Sequence, residues 1–592
     1  MSLRIANCGG FYGDRLSAAR EMVEGGPIDV LTGDWLAELT MLILAGNRLK
    51  GRPGYAPAFL KQLEQVLGTC LERGIRIVSN AGGLDPAGCA AAVSELATRL
   101  GLSARVAYVT GDDLTGRDLD LVNLDTGEKL TGQPLTANAY LGARPIAAAL
   151  SAGADVVVTG RVTDAALVTG PGIWRYGWQP GDLDALAGSV VAGHVIECGC
   201  QATGGNYAFF EEVPDLAHCG FPIAELYEDG SSVITKHPGT GGLVSVGTVT
   251  AQLLYEIASP RYLGPDVVAR FDTISLSDDG PDRVRVSGVR GEPPPDTLKV
   301  AVNYLGGYRN TMTLVLTGLD AAAKARVAEE AIWARVPRES FDQVDVSFDS
   351  PLLRVTVMDR DARKAGRAFS SAVVETGLAS YPGFYGLTPP GDASPYGVYW
   401  PALVPAAQVR PKVFLDGREL DAGTTAEPGF GSTAEIPVAE APPDVMIPLD
   451  VGAETPLGRV VGARSGDKGG DANLGVWVRA AEQYPWLAAF LTVDRLKGLL
   501  PHLAALRVDR YELPNLNALN FVVHGLLGRG VAASPRLDPQ AKALGEELRA
   551  CLVEVPESVL TGRDGQADRE TRLRPASRFP QDGARDDPPT DP

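Results

Sequence analysis

The first third of the chain repeats one unit, and that repetition limits the folds open to it more than any other feature. Each unit is a short apolar run, then a turn of glycines and small polar residues, then an amphipathic stretch at helical spacing. Residues 3–7 lead through Cys8, Gly9, Gly10 and Gly13 into a helix opening near Asp14. Residues 28–31 lead through Gly33 and Asp34 into a helical stretch from Trp35 towards Leu44. Residues 75–79 come before Asp85, which has the chemistry of a helix N-cap, with Pro86 at the first helical position and Gly101 just past the end. Residues 106–109 end at Thr110, Gly111, Asp112 and Asp113, and residues 155–158 end at Thr159, Gly160 and Arg161 before a helix at 164–168.

Five such units predict an α/β fold with a doubly wound, largely parallel sheet. Open sheets of this kind bind ligands outside the carboxyl ends of their strands, where helix N-termini and loop amides converge. All the turns just named fall on that edge. The pattern places a site without naming its chemistry.

Later segments follow other rules. From about 284 to 374 the sequence predicts paired strands at 299–304 and 311–317 and helices near 321–335 and 361–375, an α+β subdomain. A stretch rich in Pro, Gly, Glu and Thr at 421–448 has little to bury and predicts a linker. Beyond it, strands within 457–478, at 507–513 and at 518–526, with helices near 492–500 and 539–552, predict a small α+β domain. The expected division is an α/β ligand-binding domain at 1–265, the α+β subdomain at 266–420, the linker, the small domain at 449–560, and a disordered Pro-rich tail at 561–592.

Composition excludes several classes of function. A formal charge of −19 opposes nucleic acid and anionic lipid, although a local basic pocket can still hold an anionic group such as coenzyme A. No signal peptide and no bilayer-spanning run is evident, and seven scattered cysteines fit a reducing compartment, so a soluble cytoplasmic protein without nucleic-acid or membrane partners is expected.

The candidate chemistry lies in the turns. Gly9 and Gly10 allow a ligand to approach backbone amides, or simply form a tight turn; the dinucleotide and P-loop spacings are absent. Asn80, Gly82 and Gly83 end one strand and Arg161 and Asp164 follow another, able to bond a polar ligand or to serve as a helix cap with its ion partner. The densest stretch, 194–207, joins Glu197, a candidate general acid or base, to Cys198 and Cys200 and the turn Gly204-Gly205-Asn206. Cys198 or Cys200 serves as a nucleophile only where a neighbour lowers its pKa. The cysteine and histidine spacing does not form a zinc site, and no metal site is expected. Lys236 and His237 precede a glycine-rich turn suited to a carboxylate or phosphate, or sit on a surface loop. Residues 463–473, with Ser465, Asp467, Lys468 and Asn473, form an anion-binding nest or cap a junction between domains.

Taken in order, the segments 7–15, 79–83, 138–142, 159–164, 197–206 and 465–473 resemble the acyclic terpene utilisation (AtuA-type) family over nearly the whole folded chain. The resemblance implies a large N-terminal body with an appended ferredoxin-like domain. It also implies a branched or terpenoid acyl-CoA as substrate, coenzyme A entering as part of the substrate and no further cofactor required. Acyl-CoA carboxylase components are implied as partners, and a homo-oligomer is expected. Two functions stay open: lyase or hydratase chemistry with Glu197 as base and Asp164, His237 and Cys198 as further catalytic candidates, or a non-catalytic accessory or scaffold subunit of a carboxylase assembly. Phosphoryl transfer is disfavoured by the missing P-loop lysine and kinase motifs.

Overall fold

The computed structural model describes residues 2–387, 389–424 and 453–560. Most of the expected linker at 421–448 and all of the expected tail at 561–592 lie outside the described residues. Among the described residues the largest sheet has eleven strands. Its centre is the parallel block that the repeats predict, in the order Leu3–Asn7, Val30–Gly33, Arg76–Ser79, Val156–Thr159 and Val106–Thr110. The Val30–Gly33 and Val156–Thr159 strands are buried along their whole length, as expected of strands covered by helices on both faces.

The helices start where the sequence marks them. Asp85 accepts a hydrogen bond from the Gly88 amide at 2.9 Å and opens Pro86–Arg99, and Gly74, at φ +69°, closes Pro57–Arg73. The expectation of a largely parallel sheet holds only at the centre. Pro222–Leu226, Ser232–Lys236, Arg283–Ser287 and Ser275–Asp278 extend one side by antiparallel pairing, and Lys412–Leu415 and Arg418–Leu420 extend the other. Hairpin connections, not βα crossovers, build these flanks, so the repeat signal stops before them.

A second sheet is organised on one long strand, Thr297–Val315. The two strands expected at 299–304 and 311–317 are the two halves of this one strand. It bends at a bulge between Leu305 and Gly307, where Gly307 takes φ +142°. Its first half pairs with Ser394–Pro405 and with Thr136–Ala139, and its second half pairs with Leu352–Asp359. The Thr136–Ala139 contact ties this sheet to the carboxyl edge of the first.

The small domain is a four-stranded antiparallel sheet with a ferredoxin-like character, ordered Val461–Lys468, Asp471–Val478, Ala518–Val523, Val508–Leu513 and packed under Leu544–Ala550. Its first hairpin turns through Gly469, at φ +68°, and Gly470, and the tip lies against Tyr399 of the second sheet. Asparagines dock the domain onto the main body. The Asn473 side chain accepts from the Glu256 amide at 2.8 Å and donates to the Leu254 carbonyl at 2.9 Å, while Asn520 donates to the Ala258 carbonyl at 2.7 Å. Among the described residues no helix is long and apolar enough to cross a membrane.

Candidate functional site

Where the three sheets meet, the carboxyl edge of the parallel block delivers a set of charged side chains into the interior. The turn after Val30–Gly33 supplies Asp34, and the turn after Val156–Thr159 supplies Arg161 and Asp164. Glu197 follows the last turn of the buried helix Leu183–Ile196. One carboxylate oxygen from each of Asp34, Asp164 and Glu197 lies within 4.8 Å of the others. Arg161 pairs with Asp164, stacks over the Tyr140 ring at 4.1 Å and donates to the Leu36 carbonyl at 3.3 Å.

These groups are held from behind. Asn80 donates to Asp34 at 2.6 Å while its own oxygen accepts from the Trp35 amide at 2.7 Å, which fixes the Asp34 carboxylate. Asp112 accepts from the Arg161 amide at 2.9 Å and from Asn138 at 2.8 Å, and burial pushes its pKa up to about 6. A Cβ on Gly160 would stand 2.5 Å from Asp112, so the close approach requires glycine there.

Partners from the other two sheets complete the cluster. Lys299, on the long strand, lies 3.3 Å from Glu38, which also accepts from the Tyr140 hydroxyl at 2.9 Å. Burial opposes ionisation of Glu38, but Lys299 and Arg161 outweigh it and hold the carboxyl well below its usual range. The hairpin of the small domain brings in Asp467 and Lys468, and Lys468 donates to the Glu256 carbonyl at 2.7 Å. Glu256 is itself unusual: its backbone has φ +55°, a conformation costing roughly 1–3 kcal/mol outside glycine, and Asn473 and Lys468 hold it from across the domain boundary.

The electrostatics follow from crowding. Burial first, then the neighbouring Asp164, push the Asp34 and Glu197 carboxyls well above the usual range. Burial and Lys299 push the Lys468 ammonium down, against the pull of Glu256, Glu38 and Glu197. Burial and the Glu256 carboxylate push Asp467 up to about 8. Glu197 is 8% exposed and Arg161 2%, yet the Glu197 Oε2 and Arg161 Nε atoms have no hydrogen-bond partner. Buried polar atoms rarely stay unpaired without a functional reason. A cavity of about 40 Å³, with room for only a few water molecules, lies beside Glu38 and is lined also by Asn303, Tyr399 and Asp467.

The structure thus brings together Asn80, Arg161, Asp164, Glu197, Asp467 and Lys468 from the residues singled out in the sequence. Others have different duties. The Gly9 and Gly10 amides donate to Asn7 and Asp14 within their own turn, and a Cβ on Gly10 would stand 2.6 Å from the Cys198 backbone. Gly82 packs against the Thr159 carbonyl and Gly83 takes φ +53° beside Leu44. Gly204 at φ +101° and Asn206 at φ +58° turn the chain, and Gly205 donates to the Cys200 carbonyl at 2.8 Å. Ser465 binds the Gly545 amide at 2.9 Å inside the small domain, and Asn473 docks that domain.

Lys236 and His237 stand two strands away from Leu3–Asn7 on the same edge. Lys236 pairs with Asp282 at 3.0 Å and donates to the Thr240 carbonyl, and His237 Nε2 lies 2.9 Å from the Met22 carbonyl. Cys198 does not meet the condition for a nucleophile: burial, together with the adjacent Glu197 and Glu256 carboxylates, pushes its thiol well up.

Sequence reasoning missed Asp34, Glu38, Glu256, Lys299 and Tyr399 as site residues. Asp34 carried a usable signal, because it ends a strand of the same edge just as Asn80 does. Lys299 and Tyr399 carried none, since only tertiary packing brings their strands to the cluster.

Comparison with known proteins agrees with this architecture. Searches of curated proteins and of solved structures return no match. The model of the acyclic terpene utilisation family protein AtuA matches residues 3–415, and that of the AtuA ferredoxin-like domain matches residues 455–554. The chain therefore belongs to the acyclic terpene utilisation family and carries the family's ferredoxin-like domain.

Proposed function

We propose that the chain is an enzyme acting on a branched or terpenoid acyl-CoA thioester, moving a proton beside the thioester carbonyl in lyase or hydratase chemistry. The observation that carries this reading is the meeting of Asp34, Asp164 and Glu197 within 4.8 Å, in an interior shared by three sheets. Two like charges at that spacing repel by about 3–4 kcal/mol at an effective dielectric of ~20, which adds to burial in pushing the Asp34 and Glu197 carboxyls well above the usual range, against the pull of Arg161. A buried carboxyl poised between protonated and ionised states is what general acid–base catalysis needs.

Membership of the family supports a branched, terpenoid acyl group. A thioester supports the proton transfer, because its carbonyl acidifies the adjacent C–H and enolate charge can be met by cations. Arg161 and Lys299 stand ready for that charge and for the substrate's carbonyl oxygen. Since the 40 Å³ cavity is too small for an acyl chain, loading requires the hairpin that carries Asp467 and Lys468 to draw back and then close again, excluding water.

The test is incubation of the purified chain with short, branched and terpenoid acyl-CoAs, saturated, unsaturated and hydroxylated, with products read by mass spectrometry and binding by thermal shift. Turnover by the native chain and its loss in Glu197→Gln agree with the reading. Stabilisation by acyl-CoA without any product contradicts it and favours a non-catalytic subunit.

A further inference from the structure

We propose that Asp34, Asp164 and Glu197 form a binding site for one hard divalent cation of the magnesium, manganese or calcium class. The inference concerns the same cleft as the proton-transfer reading but does not depend on it.

Four observations converge. The first is donor type and spacing: three carboxylate oxygens from three different elements lie within 4.8 Å of one another. Hard cations bind oxygen at about 2.0–2.6 Å, so oxygens this close can share one ion after small shifts of the side chains. The second is an unspent ligand: Glu197 Oε2 is buried and has no partner, while Oε1 already lies 3.2 Å from His194 Nδ1. Asp34 and Asp164 are anchored by Asn80 and Arg161, as metal-ligating carboxylates usually are by a surrounding set of donors.

The third is charge. The charged groups acting most strongly on Asp34 and Glu197 are Asp164, Glu256, Arg161 and Lys468. Fully ionised, the carboxylates outnumber the cations, an excess of negative charge that a divalent ion would reduce. The fourth is what is missing from the donor set. The three ligating atoms are all carboxylate oxygens, with no thiol or imidazole among them, a set that suits a magnesium-like ion better than a soft or borderline metal such as zinc.

Three protein ligands would leave coordination positions of a hard cation open. A substrate oxygen can occupy one of them, and the ion would then polarise the carbonyl whose neighbouring proton is removed. Monodentate ligation leaves the second oxygen of a carboxylate able to take that proton, so ligation and proton transfer are compatible in one site.

The experiment uses the full chain, stripped with a chelator and without substrate. Mn2+ is titrated in and the free aquo ion followed by electron paramagnetic resonance, with Mg2+ and Ca2+ as competitors. The proposal expects one Mn2+ per chain, displaced by Mg2+ or Ca2+, and a fall in affinity of roughly tenfold or more in both Asp34→Asn and Glu197→Gln, with melting temperatures showing both variants folded. The variant Asp120→Asn, at an exposed carboxylate paired with Lys129, should bind as the native chain does. Absence of stoichiometric uptake by the native chain overturns the proposal, as does equal uptake by native chain and cluster variants. Cation uptake without acyl-CoA turnover leaves the site standing and removes the catalytic reading, and turnover without uptake does the reverse.

Discussion

Two buried polar regions adjoin at Glu256 in this molecule and behave in opposite ways. At the domain junction, Asn473 and Asn520 match donors to acceptors: Asn473 serves the Glu256 amide and the Leu254 carbonyl and donates to Asn520 at 2.6 Å, and Asn520 serves Ala258. In the adjoining cluster, like charges crowd and Glu197 Oε2 and Arg161 Nε go without partners. Matched groups stabilise a structure, and mismatched groups persist where something else is meant to meet them. The first region holds the small domain in place, and the second is what that domain covers.

The comparison breaks most visibly at Asn473. Asn473→Ala leaves the Glu256 amide, the Leu254 carbonyl and the Asn520 oxygen unpartnered, which should cost about 2–4 kcal/mol in urea unfolding and speed proteolysis near the junction. A loss below about 1 kcal/mol would mean that the small domain is held elsewhere.

The cluster should respond with the other sign. Asp34→Asn removes one of three crowded carboxylates, so the unliganded chain should keep its stability or gain up to about 1–2 kcal/mol while losing activity. A large destabilisation in thermal melting would place Asp34 with the matched groups instead.

His237 sharpens the contrast between groups with a structural and a chemical duty. Burial lowers its pKa below the ordinary 6.5 despite the Met22 carbonyl. The unfolded chain therefore takes up the proton first. His237 contributes stability that is complete above pH 6.5 and lost as pH falls towards the lowered folded value, with a slope of at most about 1.4 kcal/mol per pH unit. His237→Gln should flatten that part of the stability profile and leave turnover in place, whereas loss of turnover would return His237 to the site. The smallest effect is expected at Gly469. Gly469→Ala puts a Cβ 2.9 Å from the Tyr399 ring at φ +68° and should cost about 1 kcal/mol, read as a slightly lower melting temperature.

The parallel core was legible because its signals are local. Asp85 and Pro86 mark a helix start, and the glycine turns mark strand ends whichever way the chain folds afterwards. The long strand Thr297–Val315 read as two because Gly306 and Gly307 resemble a hairpin turn, and only the unbroken partner Ser394–Pro405 makes them a bulge. In the site, Arg161, Asp164 and Glu197 stood out as polar residues beside apolar runs, whereas Lys299 alternates with apolar residues in a strand where a polar residue normally faces solvent and Tyr399 lies in an unbroken buried run. Asn473 was visible as an interesting residue, but its partner, a backbone amide more than two hundred positions away, was not.

The central claim is that the buried carboxylates move a proton next to a thioester carbonyl. The direct test is exchange of the α-hydrogen of a branched acyl-CoA in D2O, followed by mass spectrometry with native chain and with Glu197→Gln at matched melting temperature. The account predicts deuterium incorporation by the native chain and a fall of about 10²–10⁴-fold in the variant. Equal incorporation by both, or none by the native chain with any acyl-CoA it binds, would contradict it.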